Sequence, residues 1–307
     1  MKPLIFDFPY PSPLGKNVRT LLKSEEGKVF IQYFPDDETY LRIESHVEGR
    51  EVIVNASLFH PNTWILNLFF LADALRAQGA KRVGLLTPYL AYMRQDKVFH
   101  PGEALTSVTF AKLLSSSFDY LVTIDPHLHR YHSLEEIYSI PAIALKAAPL
   151  ISQWIHANVK KPFIIGPDSE SAQWVEVIAK DSPYIVLDKV RHKDGHVKIT
   201  WPEIKGMEKK TPVLVDDIIS SGGTMLQAIQ HLKEQGFPPP ICIAIHPIFA
   251  ENSYEKLWEA GIEDVVTCNS IPHPSNQIDL APILAPCLKK VLASPLKLAF
   301  DIPSDFF

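Results

Sequence analysis

Cysteine is scarce in this chain: Cys242, Cys268 and Cys287 are the three among 307 residues. They are odd in number and show no CxxC spacing, and Cys242 lies in the apolar run "ICIAIHPI", where a thiol behaves as a small hydrophobe. A disulfide framework is thereby excluded, and reduced core thiols in a cytoplasmic protein are expected. Long hydrophobic runs are lacking too. The most apolar stretch, "WILNLFFLADAL" (64–75), is interrupted by Asn67 and Asp73, well short of the roughly 20 residues that a membrane-spanning helix needs. It reads instead as a buried helix, capped by Asn62 or Thr63 and closed near Gly79. The opening "MKPLIFDFPYPSP" carries Asp7 and several prolines where an export signal needs an unbroken apolar segment, so no export is expected. There is no excess of positive charge. A net charge of -5, with acids and bases interspersed, gives no electrostatic reason to expect nucleic acid as a partner, and any anion must be held locally. Short-period repeats, low-complexity tracts and charge blocks are also missing.

What the sequence does have is alternation. Strand-length apolar runs ("REVIVNAS", "RVGLLTPYL", "YLVTIDPH", "KPFIIGPD", "PVLVDDI", "ICIAIHPI") are separated by helix-length patterns, as in parallel sheets joined by crossover helices. The runs are nearly continuous in apolar residues, as expected of strands covered on both faces. The length suits two domains. The fold class expected is α/β, as two tandem domains, each a mostly parallel sheet flanked by helices, spanning 1–146 and 147–287, with the segment from about 288 to 307 returning to the first.

Ligands of open parallel sheets bind beyond the carboxyl ends of the strands. The informative stretch is "TPVLVDDIISSGGTML" (211–226). Val213 to Val215 are expected to end a strand, Asp216 and Asp217 to form its exit, and Ser220, Ser221, Gly222, Gly223 and Thr224 a turn before a helix. Two glycines permit close backbone approach, and hydroxyls with amides at a helix start suit a phosphate. Carboxylates aimed at that phosphate would repel it. They fit better as acceptors for the hydroxyls of a sugar attached to it, so a ribose phosphate is the expected ligand; a plain strand-turn-helix connection with an acidic rim is the alternative.

"VLVDDIISSGGT" resembles the ribose-phosphate signature of type I phosphoribosyltransferases and of ribose-phosphate diphosphokinases, the phosphoribosyl pyrophosphate synthetases. It lacks the GxxxxGK[ST] spacing of a P-loop. "FPDDETYLRI" (34–43), "PYLAYMRQDKVFHPGEALTS" (88–107), "TIDPHLH" (123–129), "GPDSES" (166–171) and "DKVRHKDG" (188–195) are similar, in order, to the synthetase motifs, and "RQDK" with "PGEA" is closest to the archaeal-type branch. The resemblance implies two phosphoribosyltransferase-like domains and a reaction in which the anomeric hydroxyl of ribose 5-phosphate attacks the β-phosphorus of ATP, giving phosphoribosyl pyrophosphate and AMP. It implies ATP contacts at Phe34, Asp36, Glu38, Arg94, Gln95 and Asp96, and ribose-5-phosphate contacts at Asp216, Asp217 and Ser220 to Thr224. Lys189 and Arg191 are implied as catalytic, with Mg²⁺ held by His127 and Asp168. The implied state is a homo-oligomer, a dimer or hexamer, in which a neighbouring subunit completes the adenine site.

The motifs also have a chemistry of their own. Phe34, Asp36 and Glu38 lie two apart, so on an extended segment they share a face that could stack an adenine and accept from its amino group. The Arg94 guanidinium suits a bidentate phosphate contact, and Gln95 adds a two-sided amide. His127, His129 and His132 lack the i, i+4 pairing common in zinc sites, whereas magnesium takes one or two protein ligands along with substrate oxygens. Asp194-Gly195 reads as a two-residue hairpin turn, which sets Arg191 across from Lys198 and Val190 from Ile199. Opposed like charges weaken a hairpin unless an anion occupies the face. Two departures from the family stand out: Asp37 where it commonly has Gly, and Ser169-Glu170-Ser171 where it is glycine-rich. A transferase acting on a base, or a catalytically silent regulatory homologue, is the alternative expectation.

Overall fold

The computed structural model describes residues 1–167, 171–191, 197–200, 204 and 206–294. The chain divides into two compact units: Met1–Lys146 with the segment from Leu280, and Ala147–Asp279.

The first unit runs β1 (Leu4–Asp7), α1 (Pro13–Leu22), β2 (Glu25–Glu26), β3 (Val29–Tyr33), β4 (Thr39–Ile43), β5 (Glu51–Asn55), α2 (Ile65–Ala77), β6 (Arg82–Thr87), α3 (Thr106–Ser117), β7 (Tyr120–Ile124) and β8 (Ala142–Leu145). Six strands form one sheet in the order β2-β1-β5-β6-β7-β8, every neighbouring pair parallel, and β3-β4 is a separate antiparallel ribbon. Side chains of a strand alternate between faces. Phe6, Val54, Leu85 and Leu121 on one face join a core with Leu68 and Leu71 of α2 and Phe110 and Leu114 of α3. Ile5, Ile53, Leu86 and Val122 are buried as well, so both faces are covered, as the continuous apolar runs require.

The second unit repeats this plan: α4 (Ala148–Asn158), β9 (Pro162–Gly166), α5 (Ala172–Ala179), β10 (Tyr184–Val186), β11 (Asp188–Arg191), β12 (Val197–Thr200), β13 (Thr211–Ile219), α6 (Gly223–Glu234), β14 (Ile241–Pro247), α7 (Ser253–Glu259), β15 (Asp264–Cys268) and β16 (Asn276–Ile278). Its sheet order is β10-β9-β13-β14-β15-β16, again all parallel, with β11-β12 as the separate antiparallel ribbon. The ribbon enters each unit at the same point, after the short edge strand. The two units are a topological duplication. The last helix, α8 (Ala281–Ala293), belongs to the first unit, where it packs on α1. Arg82 at the start of β6 donates to Val291 O, Leu292 O and Ser294 O at 3.1 to 3.4 Å, satisfying carbonyls that a helix end leaves without partners.

Three expectations need correction. Helix α2 takes no cap from Asn62 or Thr63: Trp64, outside helical geometry, stands at the N-cap behind a short 3-10 turn (Pro61–Thr63). Thr63 Oγ1 donates instead to His60 O, and Asn62 accepts from the Tyr92 hydroxyl. Secondly, β13 continues through both acids to Ile219 rather than ending at Val215. Thirdly, β11 and β12 pair Lys189 with Ile199, Val190 with Lys198 and Arg191 with Val197, one residue away from the register a two-residue turn imposes. An odd number of residues separates Arg191 from Val197, which such a turn cannot give. Arg191 and Lys198 are therefore not opposed, and the argument from like-charge repulsion lapses.

Candidate functional site

The second unit places the 211–226 stretch at the carboxyl end of its central strand. Pairing of β13 with β9 stops at Leu214 opposite Ile165, whereas pairing with β14 runs on to Ile219 opposite Pro247. Past Leu214 the strand has lost its neighbour on one side, and the amide of Asp217 donates to Asp216 Oδ1 at 2.9 Å. Asp216 and Asp217 are both half-buried. Being adjacent on a strand, they leave it on opposite faces.

Ser220 and Ser221 then turn the chain into α6, with Gly222 at its N-cap in the left-handed region (φ 74°). A Cβ there would also come within 3.2 Å of Ser253 Cβ. Gly223 opens the helix, and a Cβ on it would meet nothing nearer than Ser221 Oγ at 4.0 Å. Leu226 N, donating to Gly222 O, makes the first bond of the helical ladder, so the amides of residues 223 to 225 lie ahead of it. No acid occupies the first turn, and His231 and Lys233 sit in the last. Both ends thus agree with the helix dipole and leave its positive end suited to an anion. The turn is buttressed from behind: Ser220 O accepts from Ser253 Oγ at 2.6 Å and Ala250 N at 3.1 Å.

In the first unit, the β3-β4 ribbon carries Phe34, Asp36 and Glu38 on its connecting turn, not on an extended segment. Phe34 N donates to Glu38 O and Asp37 N to Phe34 O, which closes the turn. Asp37 is left-handed (φ 65°). This accounts for the glycine that the family resemblance leads one to expect there, since aspartate is one of the few other residues that enters the region routinely. The ribbon is tied to α2 by Thr39 Oγ1 to Asn67 Oδ1 (2.6 Å) and Asn67 Nδ2 to the Tyr33 hydroxyl (3.1 Å).

The loops after β6 and β7 bring the remaining candidates of this unit to the carboxyl end of its sheet. Arg94 is exposed and Gln95 half-buried. Asp96 is buried and accepts from Arg130 Nη1 at 2.6 Å. His127 and His129 follow β7 with their rings edge to face, centroids 4.1 Å apart. Before them stands Asp125, left-handed (φ 34°), with Lys146 Nζ at 3.6 Å from Oδ1. Arg130 and Lys146 were missed by the sequence reading; Lys146 could have been found as the residue directly after the strand-like "PAIAL". The ends of β1 and β5 are taken up structurally, Asp7 accepting from Asn55 Nδ2 at 2.6 Å and from Arg19.

The family profile for the N-terminal domain of ribose phosphate pyrophosphokinase matches residues 4–117, and that for the phosphoribosyl transferase domain matches residues 133–282. The ribose-phosphate pyrophosphokinase of Sulfurisphaera tokodaii is 32% identical over 284 residues, covering 89% of this chain and 95% of that protein. The chain belongs to the ribose-phosphate pyrophosphokinase family. That of Sulfolobus acidocaldarius is likewise 32% identical, covering 91% of this chain and 96% of its own. The crystal structure of phosphoribosylpyrophosphate synthetase from Mycobacterium smegmatis superposes with a TM-score of 0.82 at 25% identity, covering 95% of this chain and 99% of that one. The match to the ribose-phosphate pyrophosphokinases therefore spans both units rather than the 211–226 stretch alone.

Asp168 lies outside the described residues, and Lys189 and Arg191 are placed by the backbone of β11 alone. Among the described residues no group of three or more His, Cys, Asp or Glu gathers to hold a metal. Magnesium commonly takes only one or two protein ligands, with substrate oxygens and water completing its shell, so it needs no such group. No described helix is long and apolar enough to cross a membrane.

Proposed function

We propose that this chain transfers the β,γ-diphosphoryl group of ATP to the anomeric hydroxyl of ribose 5-phosphate. The anomeric oxygen forms a bond to the β-phosphorus, the bond from that phosphorus to the oxygen bridging it to the α-phosphorus breaks, and AMP leaves with the bridging oxygen; the hydroxyl proton passes to solvent. The observation that carries the reading is the stretch from Asp216 to Thr224, in which a half-buried pair of acids at the end of β13 precedes, by six residues, the acid-free start of α6 at Gly223. An anion seat beside sugar-diol acceptors is what a pentose phosphate requires.

Phe34, Asp36 and Glu38 are assigned to the adenine, and Arg94 and Gln95 to the nucleotide phosphates; Asp96, implied with them as an ATP contact, is buried behind them and supports that end of the site without touching the ligand. Asp216 and Asp217 are assigned to the ribose hydroxyls, and Ser220, Ser221, Gly222, Gly223 and Thr224 to the 5′-phosphate. Lys189 and Arg191 neutralise charge on the transferring group; such a reaction asks for positioning and charge stabilisation rather than a nucleophilic side chain. His127 and Asp168 are the residues that would hold Mg²⁺, and the ion would supply countercharge to the phosphate oxygens.

The working state is a homo-oligomer in the cytoplasm. Phe30, Tyr33, Phe34 and Tyr40 of the ribbon and Leu66 and Phe70 of α2 are between 39% and 63% exposed. Phe30 and Tyr40 share the outward face of the ribbon, and Leu66 and Phe70 lie one turn apart on α2, so each element offers exposed apolar side chains that a second copy would cover. In this reading Phe34 lies where two subunits meet. The test is to incubate the protein with ATP, ribose 5-phosphate and Mg²⁺ and assay AMP. Arg191→Ala is expected to lower turnover by about 10³–10⁵-fold, the scale of an arginine that stabilises phosphoryl transfer. Unchanged turnover in that variant removes β11 from the mechanism.

A further inference from the structure

Asp96 and Arg130 form a pair whose two halves differ in environment. The Asp96 side chain is 2% exposed and that of Arg130 46%. Arg130 Nη1 donates to Asp96 Oδ1 at 2.6 Å, and the guanidinium carbon lies 5.3 Å from the centroid of the Phe99 ring. Lys97 Nζ approaches the same ring at 5.8 Å. The Asp96 backbone is held in turn: its carbonyl accepts from the Tyr131 hydroxyl at 3.4 Å, which lies 3.3 Å from Ser107 Oγ. Asp96 Oδ2 is buried with no hydrogen-bond partner among the described residues.

These facts assign different tasks to the two residues. A carboxylate this deeply buried cannot reach a ligand, and one turned toward a triphosphate would repel it. It can hold a guanidinium. Arginine offers five donors in a rigid fork, and fixing one arm while an aromatic ring supports the plane removes rotamer freedom that binding would otherwise cost. The other arm belongs to a side chain still open to solvent. A purely structural pair has no need of this asymmetry, since an exposed surface arginine contributes little to stability.

Position gives the pair its ligand class. Asp96 lies in the loop beyond β6 and Arg130 in the loop beyond β7, neighbouring strands of one sheet, at the end where ligands of open parallel sheets bind. The same two loops carry Arg94, Gln95 and His127. A preformed cation there, with Lys97 beside it, suits a phosphate chain.

We infer that Arg130 is a further nucleotide-phosphate ligand and that Asp96 is a positioning residue acting through it. This rests on the reading of the first unit as the ATP-binding half. Loss of one charge-assisted hydrogen bond to phosphate corresponds to a roughly 10- to 100-fold weakening.

The test is a double-mutant cycle on the full-length protein with Mg²⁺, measuring Kd for ATP and for ribose 5-phosphate by calorimetry together with thermal unfolding. Arg130→Gln is expected to weaken ATP 10- to 100-fold and to leave ribose 5-phosphate within twofold. Because that variant strands a buried carboxylate, Asp96→Asn/Arg130→Gln is included; it carries no unpaired charge and is expected to bind ATP as Arg130→Gln does. Asp96→Asn alone should weaken ATP by less than Arg130→Gln. A fall in unfolding temperature with ATP affinity unchanged in both Arg130 variants overturns the assignment. So does a double variant weaker than Arg130→Gln by the full Asp96→Asn factor, which would make Asp96 a direct ligand. Wild-type protein that binds ribose 5-phosphate and no ATP overturns the reading of the first unit, and the inference falls with it.

Discussion

Gly222 and Gly223 are neighbours of the same type, and the structure assigns them opposite duties. Gly222 is left-handed, with Ser253 packed where its Cβ would go, whereas Gly223 opens a helix beside empty space. Alanine at 222 therefore carries the left-handed penalty of an L-residue, about 1–2 kcal/mol, before any push on Ser253. For a chain of this size that is a fall in unfolding temperature of roughly 2–8 °C. Alanine at 223 carries no such penalty and is worth up to about 0.5–1 kcal/mol over glycine in a helix. Its methyl group, however, would stand in the space ahead of the ladder where a 5′-phosphate is assigned. Each hydrogen bond to a charged group that it blocks is worth about 1.5–3 kcal/mol, so the KM for ribose 5-phosphate should rise at least about tenfold. Thermal unfolding and substrate titration of the two variants make the assay. Gly223→Ala with unaltered stability and unaltered affinity for ribose 5-phosphate would refute the phosphate seat; Gly222→Ala with no loss of stability would refute the role given to the left-handed cap.

Three further outcomes are expected. Burial pushes the Cys242 and Cys287 thiols up to about 12 from 9.0. The folded state therefore keeps protons that the unfolded chain sheds, and the contribution of these thiols to stability is complete below about pH 9 and lost as pH rises toward 12. Urea unfolding at pH 8 and pH 10.5 should show a smaller decline in the Cys242→Ala/Cys287→Ala variant than in the wild type, and an equal decline would contradict this. Asp216→Asn and Asp217→Asn should differ in their effect on the KM for ribose 5-phosphate by more than about tenfold, because adjacent strand residues leave on opposite faces and cannot serve one diol equally; equal losses would show that the strand gives way on binding. Leu66→Glu with Phe70→Glu should reduce the assembly to a smaller species in light scattering, and an unchanged mass would remove that face of α2 from the interface.

The parallel sheets were legible because strands buried on both faces leave uninterrupted apolar runs, as at Val213 to Val215 and Ile241 to Ile245. The turn before α6 was legible in "SSGG" from the close backbone approach that glycine permits, although it ends at Gly222 and the helix takes up Gly223 and Thr224. Other features depend on contacts remote in sequence and left no local trace. Trp64 at the start of α2 follows from the loop that precedes it, and Asp96 finds Arg130 across 34 positions. The 34–38 turn was misread as extended because two-residue spacing is compatible with a strand, and Asp37, the signal for a turn, lacks the transparency of glycine. The register of β11 on β12 was misjudged because Asp194-Gly195 invites the shortest turn, whereas register follows from how many residues separate the paired positions.

The repeated plan of the two units gives them matching connections. The connection from β5 to α2 corresponds to the one from β13 to α6. Where the second unit has bare glycine, the first has an indole, with Trp64 Nε1 donating to Phe59 O at 3.2 Å and the ring edge-on to Phe8. The same step of the fold is therefore finished in two ways: one helix start is left bare, and the other is plugged by a ring anchored to its own loop.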